Sequence, residues 1–87
     1  MPEVCRFPTG VTIHQYYADH NPPHFHAIDG DDEALIRIDP SLATIRGSLN
    51  RQALAAVLQW ARGHRAELAL NWIDALAQAP LNKIGYP

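Results

Sequence analysis

The sequence changes its periodicity once, near residue 49, and that change limits the fold more than any other feature. Before it, turn residues cut the chain into runs too short for stable helices. After it, Leu54, Val57, Leu58, Ala61, Leu68, Trp72, Ala75 and Leu76 keep to one stripe at 3.6 residues per turn. The stripe holds its phase from Arg51 to Gln78 and Gly63 lies opposite it. The pattern therefore predicts one long C-terminal helix over about 51–78, with Gly63 as the place for a bend. Ser48 or Asn50 can cap its start and Pro80 stops it. Trp60 falls off the stripe.

The first half reads as short strands. Residues 4–7 and 11–17 are rich in β-branched and aromatic residues and flank Pro8-Thr9-Gly10, a hairpin turn. In the second run Val11, Ile13, Gln15 and Tyr17 share one face, and Thr12, His14 and Tyr16 the other. Residues 18–23 contain Pro22-Pro23 and predict a rigid loop, because proline lacks an amide donor and restricts its predecessor. Further strands are expected at 24–29, ended by Gly30-Asp31-Asp32, at 33–39, ended by Pro40-Ser41, and at 43–49, with Ala43, Ile45, Gly47 and Leu49 on one face. Short connections imply an antiparallel meander. The fold class is α+β: a small antiparallel sheet of four to five short strands, about 3–49, packed by the helix. Residues 81–87 form a tail expected to pack back through Leu81, Ile84 and Tyr86.

The chain has 87 residues, enough for one domain over 1–87. Folded, it should expose about 5,000 Å² of surface. Its net charge of −2 offers no strongly basic footprint for nucleic acid. Cys5 is the only cysteine, so internal disulfides and CxxC metal sites are excluded, and it reads as a small buried hydrophobe. The N-terminal residues lack a signal-peptide pattern, and no apolar run approaches the ~20 residues of a membrane span. These features point to a cytoplasmic protein.

Histidine stands out, with five in the chain and three at positions 20, 24 and 26. His24 and His26 are two apart, so on a strand they project from the same face. Two imidazoles so placed can converge on one ion or one phosphate. His20 precedes them across the stiff Pro22-Pro23 segment, and Asp19 is the nearest carboxylate that could orient a ring. Neutral imidazole suits zinc and other transition metals, and three ligands with an open position describe a catalytic zinc site. His20, His24 and His26 are thus candidate metal ligands. The same three with Asp19 are candidate catalytic residues for metal-free acid-base work on a phosphodiester. A purely structural role, with the histidines capping loops, is the third reading. His14 and His64 are expected to be independent surface or edge residues.

Other features carry less. Asp29, Asp31, Asp32 and Glu33 form an acidic turn without the full EF-hand pattern, best read as solvated. Arg62 and Arg65 flank His64 and could meet an anion, although Arg65 lies near enough to the stripe to pair with a sheet carboxylate or snorkel past the core. Trp60 and Tyr16, if exposed, would anchor a protein interface.

The run Tyr16 to Ala27, with His-Asn-Pro-Pro-His-Phe-His at 20–26, and the run Ala34 to Asp39 resemble the uncharacterised bacterial family known as domain of unknown function 4160. Leu58 to Ala61, His64 to Leu68, Asn71-Trp72 and Pro80 to Ile84 resemble its helical half. Gly63 departs from that pattern, where a better helix former is expected. The family motif lands on Asp19, His20, Asn21, Pro22, Pro23, His24, Phe25 and His26. The resemblance implies a small cytoplasmic protein, often encoded beside another small domain in a pair suspected of being a toxin-antitoxin module. It supplies no activity. The expected partners are that neighbouring small protein or a second copy of the chain, with RNA weakly supported and no membrane. The alternative is a small His-dependent enzyme that cleaves phosphoesters or RNA, or a protein that binds zinc or another transition metal.

Overall fold

The structure, a computed structural model, describes residues 2–87. Five strands, β1 (Glu3–Arg6), β2 (Thr12–His14), β3 (His24–Asp29), β4 (Asp32–Arg37) and β5 (Thr44–Gly47), pair in chain order as one antiparallel meander. Two helices follow, α1 (Arg51–Gly63) and α2 (Arg65–Leu76). The α+β class and the meander match the expectation from sequence. The surface exposed is 5198 Å², close to that expected of a chain this long.

Register explains which side chains go inside. Ile13 lies opposite Ala27, Phe25 opposite Ile36 and Ala27 opposite Ala34, and all five are fully buried. They form one sheet face, packed in a single cluster with Val57, Trp60, Ala61 and Leu68 from the helices. The residues between them, His14, His24, His26, Glu33, Leu35 and Arg37, belong to the other face, because successive strand residues point to opposite sides. β5 is short and wholly exposed, Ile45 included, so the one-faced strand expected there contributes little to the core. Gly47 holds φ at +77°, and a Cβ on it would lie 2.0 Å from the Glu33 carbonyl oxygen, so the approach of β5 to β4 requires glycine there.

The C-terminal half corrects the prediction of one long helix. The chain breaks at His64 (φ −126°, ψ 19°), whose N–H bonds back to Ala61 rather than to Trp60. Glycine at 63 weakens the helix there by about 1 kcal/mol relative to alanine. The buried residues of α1 (Ala53, Val57, Trp60, Ala61) and of α2 (Leu68, Asn71, Trp72, Ala75) still share one phase, so the apolar spacing carries no mark of the break. The buried arc is rotated from the expected stripe: it takes in Trp60 and Asn71, and leaves Leu76 exposed. The tail is the cause. Trp60 donates its indole N–H to the Gly85 carbonyl at 2.9 Å, and Phe7 packs on both Trp60 and Tyr86. Ile84 is buried and donates its N–H to Val4, covering the β1 edge. Asn50 caps α1 by accepting from the Ala53 N–H at 2.8 Å.

Asn71 and Gln15, both buried, hold α2 to the start of the 15–23 loop. Gln15 donates to the Leu68 carbonyl, and Asn71 donates to Gln15 and to the Asn82 carbonyl while accepting from the Asn82 N–H.

A candidate metal centre

The loop and β3 together build the site. Tyr16 to Pro23 run from the end of β2 to the start of β3, and Pro23 already pairs with β4 by accepting from the Ile38 N–H at 3.0 Å. Asp19 reaches His26 Nε2 with its Oδ2 at 2.8 Å and His24 Nε2 with the same oxygen at 3.0 Å. The His20 backbone N–H donates to the other oxygen, Oδ1. Potential ligand atoms of Asp19, His24 and His26 all lie within 4.8 Å of one another, the one such group of three among the described residues.

Hydrogen bonding at the far side orients each ring and, for His24, sets the tautomer. His24 Nδ1 is 2.8 Å from the Pro22 carbonyl, which can only accept, so Nδ1 carries the proton. His26 has a carboxylate at each ring nitrogen, Glu33 Oε2 at 2.8 Å from Nδ1 and Asp19 Oδ2 at 2.8 Å from Nε2. A neutral His24 ring then presents a bare Nε2 lone pair, and a neutral His26 ring does so when its proton sits on the Glu33 side. Both Nε2 atoms and a carboxylate oxygen thus converge, an arrangement that positive charge satisfies, either protons on the rings or a bound cation. His24 is 5 % exposed. Its Nε2 has no hydrogen-bond partner despite lying 3.0 Å from Asp19, because the approach lies off the bonding direction. Ligand atoms bound to one metal at about 2.0–2.2 Å, at angles of roughly 90–110°, lie about 2.9–3.5 Å apart and point at the ion, not at each other. The His24–Asp19 pair has that relation.

The rings are held from several sides. Trp72 lies 5.3 Å from His24, and Tyr16 meets His26 edge to face at 4.5 Å, centroid to centroid. Burial pushes the Asp19 carboxyl up, but the His26 hydrogen bond, the charges of His24 and His26 and the His20 N–H outweigh it and hold the group below the usual carboxylate range.

The structure sorts the candidates named from sequence. It brings together Asp19, His24 and His26, and leaves the His20 side chain exposed and outside the group. The expectation of independence for His14 and His64 is corrected. His14 is buried, lies directly across from His26 and bonds through Nε2 to Thr12 Oγ1. His64 has one ring nitrogen on Glu67 and the other on the Pro87 oxygen. Trp60 is buried and Tyr16 half-buried, so neither is a free surface anchor. Arg65 forms no ion pair among the described residues.

Sequence groups Glu33 with the acidic turn, yet in the fold it joins Asp19 in holding the His26 ring. The hairpin register would have shown it: pairing Asp29 with Asp32 places Glu33 across from Ile28 and beside His26 on the same face.

No helix is long and apolar enough to cross a membrane among the described residues. Neither a curated protein nor a solved structure matches the chain. The domain of unknown function DUF4160 matches residues 10–73, a span that holds Asp19, His24, His26, Glu33 and the Gln15–Asn71 pair and stops short of the tail. The protein with this two-histidine, one-carboxylate cluster belongs to the DUF4160 family.

Proposed function

We propose that this protein binds a divalent transition metal through Asp19, His24 and His26, at a site that leaves coordination positions open. The observation that carries the proposal is the convergence of both Nε2 atoms on one carboxylate oxygen, each ring held by an acceptor on its opposite nitrogen. A carbonyl or carboxylate behind each ligating imidazole is the usual outer shell of a metal site. Two imidazoles and one carboxylate suit zinc, iron or related ions. Three protein ligands leave room for water or substrate, which separates a catalytic from a structural site. The chemistry such a centre supplies is activation of water or polarisation of a bound oxygen.

The test is cobalt(II) titration of chelator-treated, tag-free protein, followed by its visible absorption, alongside elemental analysis of the protein as purified. One ion per chain is expected. His24→Ala and His26→Ala should abolish the signal while circular dichroism shows the fold retained, and His20→Ala should keep it. Absence of cobalt binding by the folded wild type, or equal loss in the His20 variant, overturns the assignment.

A second reading rests on a separate observation. Leu70, Ile73 and Leu76 stand 50 %, 60 % and 62 % exposed along the outer face of α2, whose other face is buried. This apolar strip supports a protein-binding member of a two-gene module of the toxin-antitoxin kind, its occupant being the small protein encoded beside the gene. Co-expression followed by size exclusion should give a complex that Leu70→Ser with Ile73→Ser dissolves. No complex with the wild type would end this reading.

A further inference from the structure

The surroundings of the cluster are asymmetric in charge. In an antiparallel sheet, residues directly opposite one another share a face and lie about 4.5–5.5 Å apart at Cα. The register places Arg37 opposite His24, Leu35 opposite His26 and Arg46 opposite Leu35. Toward the β5 edge the face that carries the cluster presents Arg37 and Arg46, together with Glu33, whose carboxylate is turned to His26. Toward the β1 edge it presents His14 and then Glu3. Both arginines are exposed. Arg46 has no ion pair among the described residues, and the Arg37 guanidinium is held by Asp39 at 2.7 Å with its side chain 45 % in solvent.

We propose that the site takes a small phosphoryl ligand, a phosphate or phosphomonoester, with one oxygen on the metal bound by Asp19, His24 and His26 and the others on Arg37, flanked by Arg46. The proposal rests on the metal assignment above. Chemistry favours phosphoryl over carboxylate: a phosphate group has three terminal oxygens, so one can ligate the metal while two accept the planar guanidinium fork. A carboxylate has two oxygens and cannot do both fully. Scale favours a small ester over a nucleic-acid chain. Binding along a polynucleotide draws on many phosphate contacts, and the net charge here is −2 with two arginines on this side of the cluster. Arg37 acts as a clamp that exchanges Asp39 for the ligand, and Glu33 on the opposite flank of His26 keeps the anion from that side by charge.

The test uses the cobalt-loaded full chain titrated with inorganic phosphate, with p-nitrophenyl phosphate and, as control, with acetate. Phosphate should change the cobalt absorption saturably, and acetate at the same concentration should not. Arg37→Met should weaken phosphate by about tenfold or more, as expected for loss of a charge-assisted bidentate contact, with cobalt affinity unchanged. Arg37→Lys should recover part of the loss. Binding of both the free anion and the ester identifies an ester site, and binding of the free anion alone identifies a phosphate site. A cobalt spectrum that phosphate leaves unmoved, or one that responds identically in the Arg37→Met variant, overturns the proposal while the metal assignment stands. No cobalt spectrum at all removes both.

Discussion

Replacing Asn71 with leucine isolates the interaction that fixes α2 against the loop bearing Asp19. Asn71 is fully buried and its amide makes three hydrogen bonds, one with the Gln15 side chain and two with the Asn82 backbone. Each such bond contributes about 1 kcal/mol net. Gln15 is 1 % exposed, so its Oε1 would be left without partner or water, an added cost of about 1–3 kcal/mol. Asn82 is exposed and can bond to water instead. Leucine has the same number of side-chain heavy atoms as asparagine, though bulkier ones, and returns about 1–2 kcal/mol by apolar burial. The expected loss is about 3 kcal/mol, a large part of the roughly 5–15 kcal/mol of a small domain. It should appear in urea titration as a lower midpoint at unchanged slope, and in thermal scans as a fall of roughly 12–24 °C. The decisive measurement is the double variant Gln15→Leu with Asn71→Leu. Removing both partners leaves no orphaned oxygen, so the double variant should be more stable than the sum of the singles by about 1–2 kcal/mol. A single-variant loss below about 0.5 kcal/mol, or additivity within that margin, would refute the reasoning.

Other perturbations test other parts of the molecule. Gly47→Ala puts a Cβ 2.0 Å from the Glu33 oxygen at a φ of +77°, so it should part β5 from β4; the measurement is stability in urea, with a loss of about 2 kcal/mol or more expected. Glu33→Ala removes the acceptor behind His26 and should weaken cobalt or zinc binding about 10- to 100-fold while changing urea stability by less than about 0.5 kcal/mol. Burial alone would lower the His64 pKa, but the Glu67 carboxylate and the Pro87 oxygen outweigh it and hold the ring above its ordinary value. Because the folded pKa is the higher one, this stabilisation is complete below the unfolded pKa of about 6.5 and is lost as pH rises through the folded pKa. Stability of the wild type measured across that window should fall relative to His64→Gln, and parallel curves would show that the ring does not hold the tail through its charge.

The strand half was legible because its determinants are local. Prolines, glycines and a two-residue alternation mark out the strands of the meander, show for the central ones which face is buried, and place His24 and His26 side by side, whereas the face expected of β5 stays exposed. The helical half was legible only in its phase. Gly63 marked a weak point, but whether a helix bends or breaks depends on what packs beside it, and here the tail brings Gly85 and Tyr86 to Trp60 and a carbonyl of Asn82 to Asn71. Those contacts join residues far apart in the chain, so no periodicity records them.

For the site, sequence by itself determined the two imidazoles on one strand face and a stiff loop ahead of them, because side-chain alternation and proline geometry are properties of neighbouring residues. It points to His20 as the third ligand and gives Asp19 only an orienting role, yet adjacent loop residues differ only in which way the backbone turns them. Tertiary structure decides otherwise: Asp19 turns in onto both Nε2 atoms, His20 turns out to solvent, and Glu33 arrives across the hairpin to orient His26. The chemical identity of a ligand is carried by a residue type, but its direction is set by the packing of segments that meet only in the folded chain.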